Sequence, residues 1–181
     1  MIKLERVTNE NYDEVSQLSV HENQVEELDW DLTAELKNYL NSDEEDEIIF
    51  AIYHEKTTIG LVEIGYYEND QDSYNRKKYG DLASYEVNRM MIDGAYQGKG
   101  FGKQALLAII DYIKTFPCGI ADAITVTYFL SNKVAKSLYQ SVGFEETGEK
   151  WDGDTLEPWD NTRTDEFEMA ELGARLALTE C

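Results

Sequence analysis

Little in this chain invites metal, redox or disulfide chemistry. Its 181 residues include two cysteines and two histidines. Cys118 and Cys181 show no metal or redox spacing, and His21 and His54 cannot supply a metal cluster, so no metal is expected. A disulfide framework is not expected either, and a reducing cytoplasm fits. No apolar run approaches membrane-spanning length, and the polar start Met1-Ile2-Lys3-Leu4-Glu5-Arg6 does not read as a signal peptide; no membrane partner is expected. Basic residues are few: 16 Lys and Arg against 37 Asp and Glu give a formal net charge of −21. Phosphate backbones are bound by clustered Lys and Arg, so no nucleic-acid partner is expected. The acidity either keeps the protein soluble or attracts a cationic substrate. Also missing are a plausible Ser/His/Asp or Cys/His constellation, a G-x-x-x-x-G-K-[ST] loop and a G-x-G-x-x-G loop.

What is present is a foldable chain, 42% hydrophobic and long enough to bury a substantial core. Ile2 to Val7 alternates like a strand. Thr8 or Asn9 can cap a helix reaching Leu18, and Asp31 a second helix through Leu40. Ile48 to Tyr53 and Thr57 to Tyr67 read as an antiparallel hairpin around His54-Glu55-Lys56. Glu68 to Leu82 is a polar excursion. Ser84 to Ile92 is a fourth strand, Ile124 to Phe129 a fifth, and a long apolar-periodic helix lies between them. Asn132 to Val142 is a further helix, stopped by Gly143. Phe144 to Gly148 and Glu166 to Leu172 are the last strands. An early meander followed by alternating strands and helices gives an α+β fold with a central mixed sheet. The tail from Gly173 to Cys181 is either a short docked helix or disorder at a terminus.

The fourth strand runs into Asp93-Gly94-Ala95-Tyr96-Gln97-Gly98-Lys99-Gly100-Phe101-Gly102-Lys103, and the long helix follows. Glycines at a helix N-terminus let backbone N–H groups approach a phosphate, and the helix dipole favours its charge. The alternative is a plain strand-to-helix turn. Downstream stands Asn132-Lys133-Val134-Ala135-Lys136-Ser137-Leu138-Tyr139-Gln140-Ser141-Val142-Gly143-Phe144. Ala135, Leu138 and Val142 share a helical face and read as core; Tyr139 sits beside that face.

The first segment resembles the Q/R-x-x-G-x-G pyrophosphate loop of the GNAT superfamily of acetyl-CoA-dependent N-acetyltransferases. The second resembles that superfamily's N-x-x-A-x-x-L-Y-x-x-x-G-F signature at every named position. The resemblance spans roughly Met1 to Leu172. It implies one acetyltransferase domain over residues 1–172, with residues 173–181 as a tail. It implies a mostly antiparallel mixed sheet of about seven strands with about four helices, splayed between strands four and five. Acetyl-CoA is the implied co-substrate, and no metal is implied. Backbone groups along Met90, Met91 and Ile92 would meet the pantetheine arm and acetyl carbonyl. Amides of Gln97, Gly98, Lys99, Gly100, Phe101, Gly102 and Lys103 would hold the pyrophosphate, and Asn132 would bond near the pantetheine. The lysine side chains either add charge or are simply solvated.

Tyr139 would protonate the departing thiolate, or else be an ordinary boundary tyrosine. Glu86 shares a strand face with Met90 and matches the base some relatives use; a water chain, or a glutamate paired with Arg89, is the alternative. Asn88 shares that face and would position the amine. The whole chain is similar to bacterial spermine/spermidine acetyltransferases, and Leu18 to Glu27 is similar to their substrate-side first loop. Glu22, Glu26, Glu27 or Asp29 would then hold a polyamine's ammonium groups, the alternative being that each is simply solvated. Aminoglycosides, protein amines and a non-catalytic acyl-CoA sensor stay open as alternatives. The loop Trp151 to Arg163, with Trp151 and Trp159, is longer than expected. It either covers the acceptor site or packs on a second subunit of a homodimer.

Overall fold

Runs of β-branched and aromatic residues become strands along this chain. The structure, a computed structural model, describes residues 1–24, 31–43, 46–68, 83–129, 131–151, 156–158 and 171–178. In chain order these form β1 (Ile2–Arg6), α1 (Tyr12–Val15), α2 (Leu32–Asn41), β2 (Glu47–His54), β3 (Thr57–Tyr67) and β4 (Ser84–Ile92). Then come α3 (Phe101–Ile113), β5 (Ala123–Phe129), α4 (Lys133–Gln140), β6 (Glu145–Trp151), β7 (Leu156–Pro158) and β8 (Glu171–Ala177). Single 3-10 turns lie at Glu22–Gln24 and Gly94–Tyr96. No described helix is long and apolar enough to cross a membrane.

The chain divides into two compact units that interleave in sequence: Met1–Gly65 with Asn88–Cys118, and Tyr66–Val87 with Gly119–Cys181. In the first, β1, β2, β3 and the second half of β4 are successive neighbours. β1 and β2 pair antiparallel, as do β2 and β3. β2 is buried on both faces, which accounts for its unbroken apolar run Ile48 to Tyr53. Its odd residues Ile49, Ala51 and Tyr53 join Val7, Val15, Leu36, Leu61 and Met91 in one core, capped by Tyr12, Leu18, Leu32 and Tyr39. Alternation turns Phe50 to the opposite face, where it meets Tyr112 of α3 at 4.8 Å between ring centroids. α3 buries Ala105, Leu106, Ile109, Ile110 and Ile113. Fully burying a Leu or Ile stabilises by about 1.5–3 kcal/mol, so this stripe anchors the helix that follows the glycine loop.

In the second unit the order is the first half of β4, then β5, β8, β6 and β7. β4 and β5 are parallel, and their ladder runs from Ser84↔Ala123 to Val87↔Val126. There it ends, although β4 continues to Ile92 and β5 to Phe129. This is the expected splay between strands four and five. The β5–β8, β6–β8 and β6–β7 pairs are antiparallel. The fold is therefore α+β with a mixed, mostly antiparallel sheet.

Three elements depart from expectation. The helix expected to reach Leu18 is four residues long. Thr8 N–H donates to Asn11 Oδ1, and Glu10 N–H to Thr8 Oγ1. Such local side-chain bonds offer the backbone an alternative to the helix and delay its start. The last strand lies at Glu171–Ala177, later than the expected Glu166 to Leu172, so most of the expected tail is strand. Ala174 faces Val126 and Leu176 faces Ile124 of β5, and Ala174 is buried. Pairing with a buried strand outweighs the helical propensity of Ala, Leu and Arg. β7 is an eighth strand within the long Trp151 to Arg163 segment, and among the described residues it pairs with β6. Pro158 is tolerated there because β7 is an edge. Trp159 and most of the Glu68 to Leu82 excursion lie outside the described residues.

Candidate active site

The glycine loop leaves β4 through Asp93, whose two carboxylate oxygens do separate work. Oδ1 accepts from Ala95 N–H at 3.0 Å and closes the Gly94–Tyr96 turn. Oδ2 accepts from Ser19 N–H at 3.1 Å. The chain then extends at Gln97 and turns through Gly98 (φ +73°) and Gly100 (φ +79°). Both glycines sit where L side chains are strained, yet a Cβ built on either meets nothing within 4 Å. The requirement is conformational, and the space beside the backbone is open. Gly100 is the N-cap of α3, and no side chain caps it. No side-chain cap thus competes for the first-turn N–H groups, which lie at the positive end of a 13-residue helix. Phe101 is held from the other side by the His54 ring, 4.5 Å away.

Side chains of the loop are less available than its backbone. Gln97 Nε2 donates to Ile92 O at 2.8 Å and to Gln24 Oε1 at 2.9 Å. Lys99 Nζ donates back to Ala95 O at 2.8 Å and lies 5.3 Å from the Tyr96 ring centroid. Lys103 is exposed. Of the β4 residues, Met90 is half-buried, while Met91 and Ile92 are buried, Met91 within the core. Asn88 Nδ2 donates to Glu63 Oε1 at 3.0 Å, and Arg89 Nη1 pairs with Glu63 Oε2 at 3.0 Å. Glu63 is only 5% exposed. Sequence reasoning missed it, although a lone carboxylate within Ile59-Gly60-Leu61-Val62-Glu63-Ile64 was a usable signal. Glu22 is exposed on its 3-10 turn. Glu26, Glu27 and Asp29 lie outside the described residues.

The second unit carries Tyr139 and Glu86. Asn132 caps α4, its Oδ1 accepting from Ala135 N–H at 2.9 Å. Two turns on, Tyr139 lies 8% exposed between Tyr128 and Phe144, at centroid distances of 5.6 and 5.5 Å. Burial pushes the Tyr139 phenol up to about 12. No described residue hydrogen-bonds its hydroxyl. Such a phenol stays protonated at neutral pH and is a donor, not a base. The Tyr128 hydroxyl is itself held by Glu146 of β6, and burial, then that bond, raises its pKa. Glu86 of β4 lies opposite Thr125 of β5, one step before the parallel ladder ends, and is 4% exposed. Among the described residues no group of three or more His, Cys, Asp and Glu is placed to hold a metal ion.

The sequence profile of the acetyltransferase (GNAT) family matches residues 9–144. The chain belongs to that family. A curated relative, the spermine/spermidine N(1)-acetyltransferase of Bacillus subtilis (strain 168), is 33% identical over 100 residues. That alignment covers 54% of this GNAT chain and spans 59% of the relative's length. The spermidine N-acetyltransferase of Vibrio cholerae, solved with CoA and spermine, superposes with a TM-score of 0.67 at 20% identity, covering 97% of this chain and 95% of that one. An aminoglycoside N(6')-acetyltransferase of Legionella pneumophila superposes with a TM-score of 0.69 at 16% identity, covering 97% and 91%. At such identities the likeness concerns the GNAT fold and leaves the acceptor open. The matched region contains both the glycine loop and the Asn132 to Phe144 signature.

Proposed function

We propose that this GNAT protein transfers the acetyl group of acetyl-CoA to a primary amine of a polyamine such as spermidine or spermine. Transfer is direct, within a ternary complex, and the catalytic domain spans residues 1–172 with β8 carrying it a few residues further. One observation carries the proposal most: Gly98 and Gly100 open the backbone beside the uncapped N-terminus of α3. That arrangement suits a pyrophosphate, which takes backbone N–H groups and the helix dipole together. In this reading the amides from Gln97 to Lys103 hold the pyrophosphate. Backbone groups of Met90 to Ile92 and the Asn132 side chain meet the pantetheine arm.

The chemistry asks for a neutral amine, a polarised thioester carbonyl and a protonated leaving group. The amine nitrogen attacks the carbonyl carbon, forming the N–C bond, and the C–S bond breaks. Tyr139, neutral and buried, gives its proton to the departing sulfur. Glu86 takes the proton lost by the amine, directly or through water. No residue forms a covalent intermediate. The relation to the Bacillus subtilis enzyme, 33% identical over 100 residues, favours a polyamine. So does the net charge of −21, which draws polycations to the surface. Glu22, Glu26 and Glu27 are the carboxylates proposed to hold its ammonium groups, with Asn88 beside the amine. The cytoplasm is the compartment proposed for the reaction, and a chain with two cysteines is compatible with its reducing conditions.

The test is kcat/KM for spermine, an aminoglycoside, a lysine peptide and a simple monoamine, at low and high ionic strength. Spermine or spermidine should give the highest value, and salt should lower it. A clear preference for the aminoglycoside or the peptide overturns the acceptor assignment and leaves the acetyltransferase standing. Failure to turn over acetyl-CoA with any amine overturns the enzymatic reading.

A further inference from the structure

Within the first unit, the segment Ser19 to Gln24 is bonded to the junction between β4 and the glycine loop at several points. Gly94 N–H donates to Ser19 O at 2.8 Å, and Ser19 N–H donates to Asp93 Oδ2 at 3.1 Å. The His21 ring lies so close to Gly94 that a Cβ there would sit 3.2 Å from it. The fourth tie differs in kind. Gln97 immediately precedes Gly98, and its Nε2 spans from Ile92 O to Gln24 Oε1. An amide nitrogen has two hydrogens, so one side chain bonds the end of β4 and the Glu22–Gln24 turn together. The backbone that would touch the pyrophosphate and the segment bearing Glu22 therefore share a single hydrogen-bonding group.

We propose that Gln97 and Gln24 are positioning residues: they join the acceptor-side segment to the cofactor loop, so that CoA in the loop orders Ser19 to Gln24. This rests on the proposed reading that the loop binds acetyl-CoA. The physical basis is linkage. A ligand that restrains the Gln97 backbone lowers the freedom of the side chain that Gln24 must meet, and the Gln97–Gln24 bond becomes easier to keep. Reciprocity follows: an acceptor that orders the same segment tightens CoA binding by the same factor. The two substrates would then help each other to bind without touching this bridge.

Hydrogen exchange of the full chain, with and without CoA, tests the inference. The quantity read is the CoA-dependent slowing at amides 18–24 and, separately, at amides 98–104. A bond that serves packing alone changes the baseline rate and leaves that ratio unaltered. In the wild type CoA should slow both segments. Gln24→Leu removes the acceptor for Gln97 and keeps the Gln97–Ile92 bond. It should leave the slowing at 98–104 unchanged and cut the slowing at 18–24 about fivefold, the scale of one neutral hydrogen bond. Gln24→Glu keeps an acceptor and should restore it. The proposal is overturned if CoA slows 98–104 but not 18–24 in the wild type. It is equally overturned if Gln24→Leu keeps the full effect at 18–24. If CoA slows neither segment, the loop assignment itself fails, and the coupling with it.

Discussion

Tyr128 donates its phenolic hydrogen to Glu146 at 2.9 Å. The same carboxylate accepts from Lys136 Nζ at 2.6 Å, so β5, β6 and α4 are joined by one acidic side chain. The Lys136 ammonium, then the Tyr128 hydroxyl, holds the Glu146 carboxyl below its ordinary value, against the opposing effect of burial. A carboxyl with a depressed folded-state pKa contributes stability above its unfolded value of about 4.3. That contribution disappears as pH falls through the folded value. Glu146→Gln should therefore lower the Tm at neutral pH, by less than about 1 kcal/mol in stability for so accessible a pair. Thermal unfolding at intervals from pH 7 to pH 3 should show the two proteins converging at the acid end. A gap that is constant with pH would mean that the ionised pair contributes nothing.

Tyr139→Phe should lower kcat about 10²- to 10⁴-fold, the usual range for a lost general acid. The dissociation constant of acetyl-CoA should change little, because the hydroxyl would act mainly on the developing thiolate. An unaltered rate for the chemical step would make Tyr139 a packing residue between Tyr128 and Phe144. A second consequence is independent of catalysis. With its pKa pushed up to about 12, Tyr139 is held neutral by the fold. Its unfolded counterpart ionises near 10, so stability attributable to it is complete below about pH 10 and falls between there and about 12. The Phe variant should lose less stability over that alkaline interval, as followed by circular dichroism.

Gly100 separates backbone strain from ligand contact. At φ +79° with nothing within 4 Å of a built Cβ, Gly100→Ala meets no clash. It should destabilise by about 1–2 kcal/mol through left-handed backbone strain alone. Gly100→Asp adds a negative charge where the pyrophosphate is proposed to lie, and acetyl-CoA affinity by calorimetry should be largely lost. Full affinity in the Asp variant would remove the loop from the cofactor site.

Glu86→Gln should depress kcat/KM at neutral pH, with partial recovery as alkalinity supplies neutral amine. A polyamine ammonium, like that of lysine, has a pKa of about 10.4, so the reactive form is scarce at pH 7. A pH–rate profile of unchanged shape and height would place the base elsewhere.

Much of the local structure was determined by residues a few positions apart. Asp31 and Asn132 cap their helices through bonds reaching three residues ahead, and the Asp31 cap is the one expected from the sequence. The strands Thr57 to Tyr67 and Ser84 to Ile92 and the apolar stripe of α3 follow from periodicity. Positive φ at Gly98 and Gly100 is permitted by the absence of a Cβ. Tertiary structure decided what depends on partners far along the chain. Pairing with β5 on one side and β6 on the other makes Glu171–Ala177 a strand, because its Ala, Leu and Arg residues carry no strong strand preference of their own. Only the meeting of β3 and β4 gives Asn88 and Arg89 the same buried carboxylate, Glu63. Only the approach of the Glu22–Gln24 turn gives the Gln97 side chain its bond to Gln24. Capping and periodicity are short-range and repeat in the sequence; a side-chain hydrogen bond between distant segments depends on register and leaves no periodic mark.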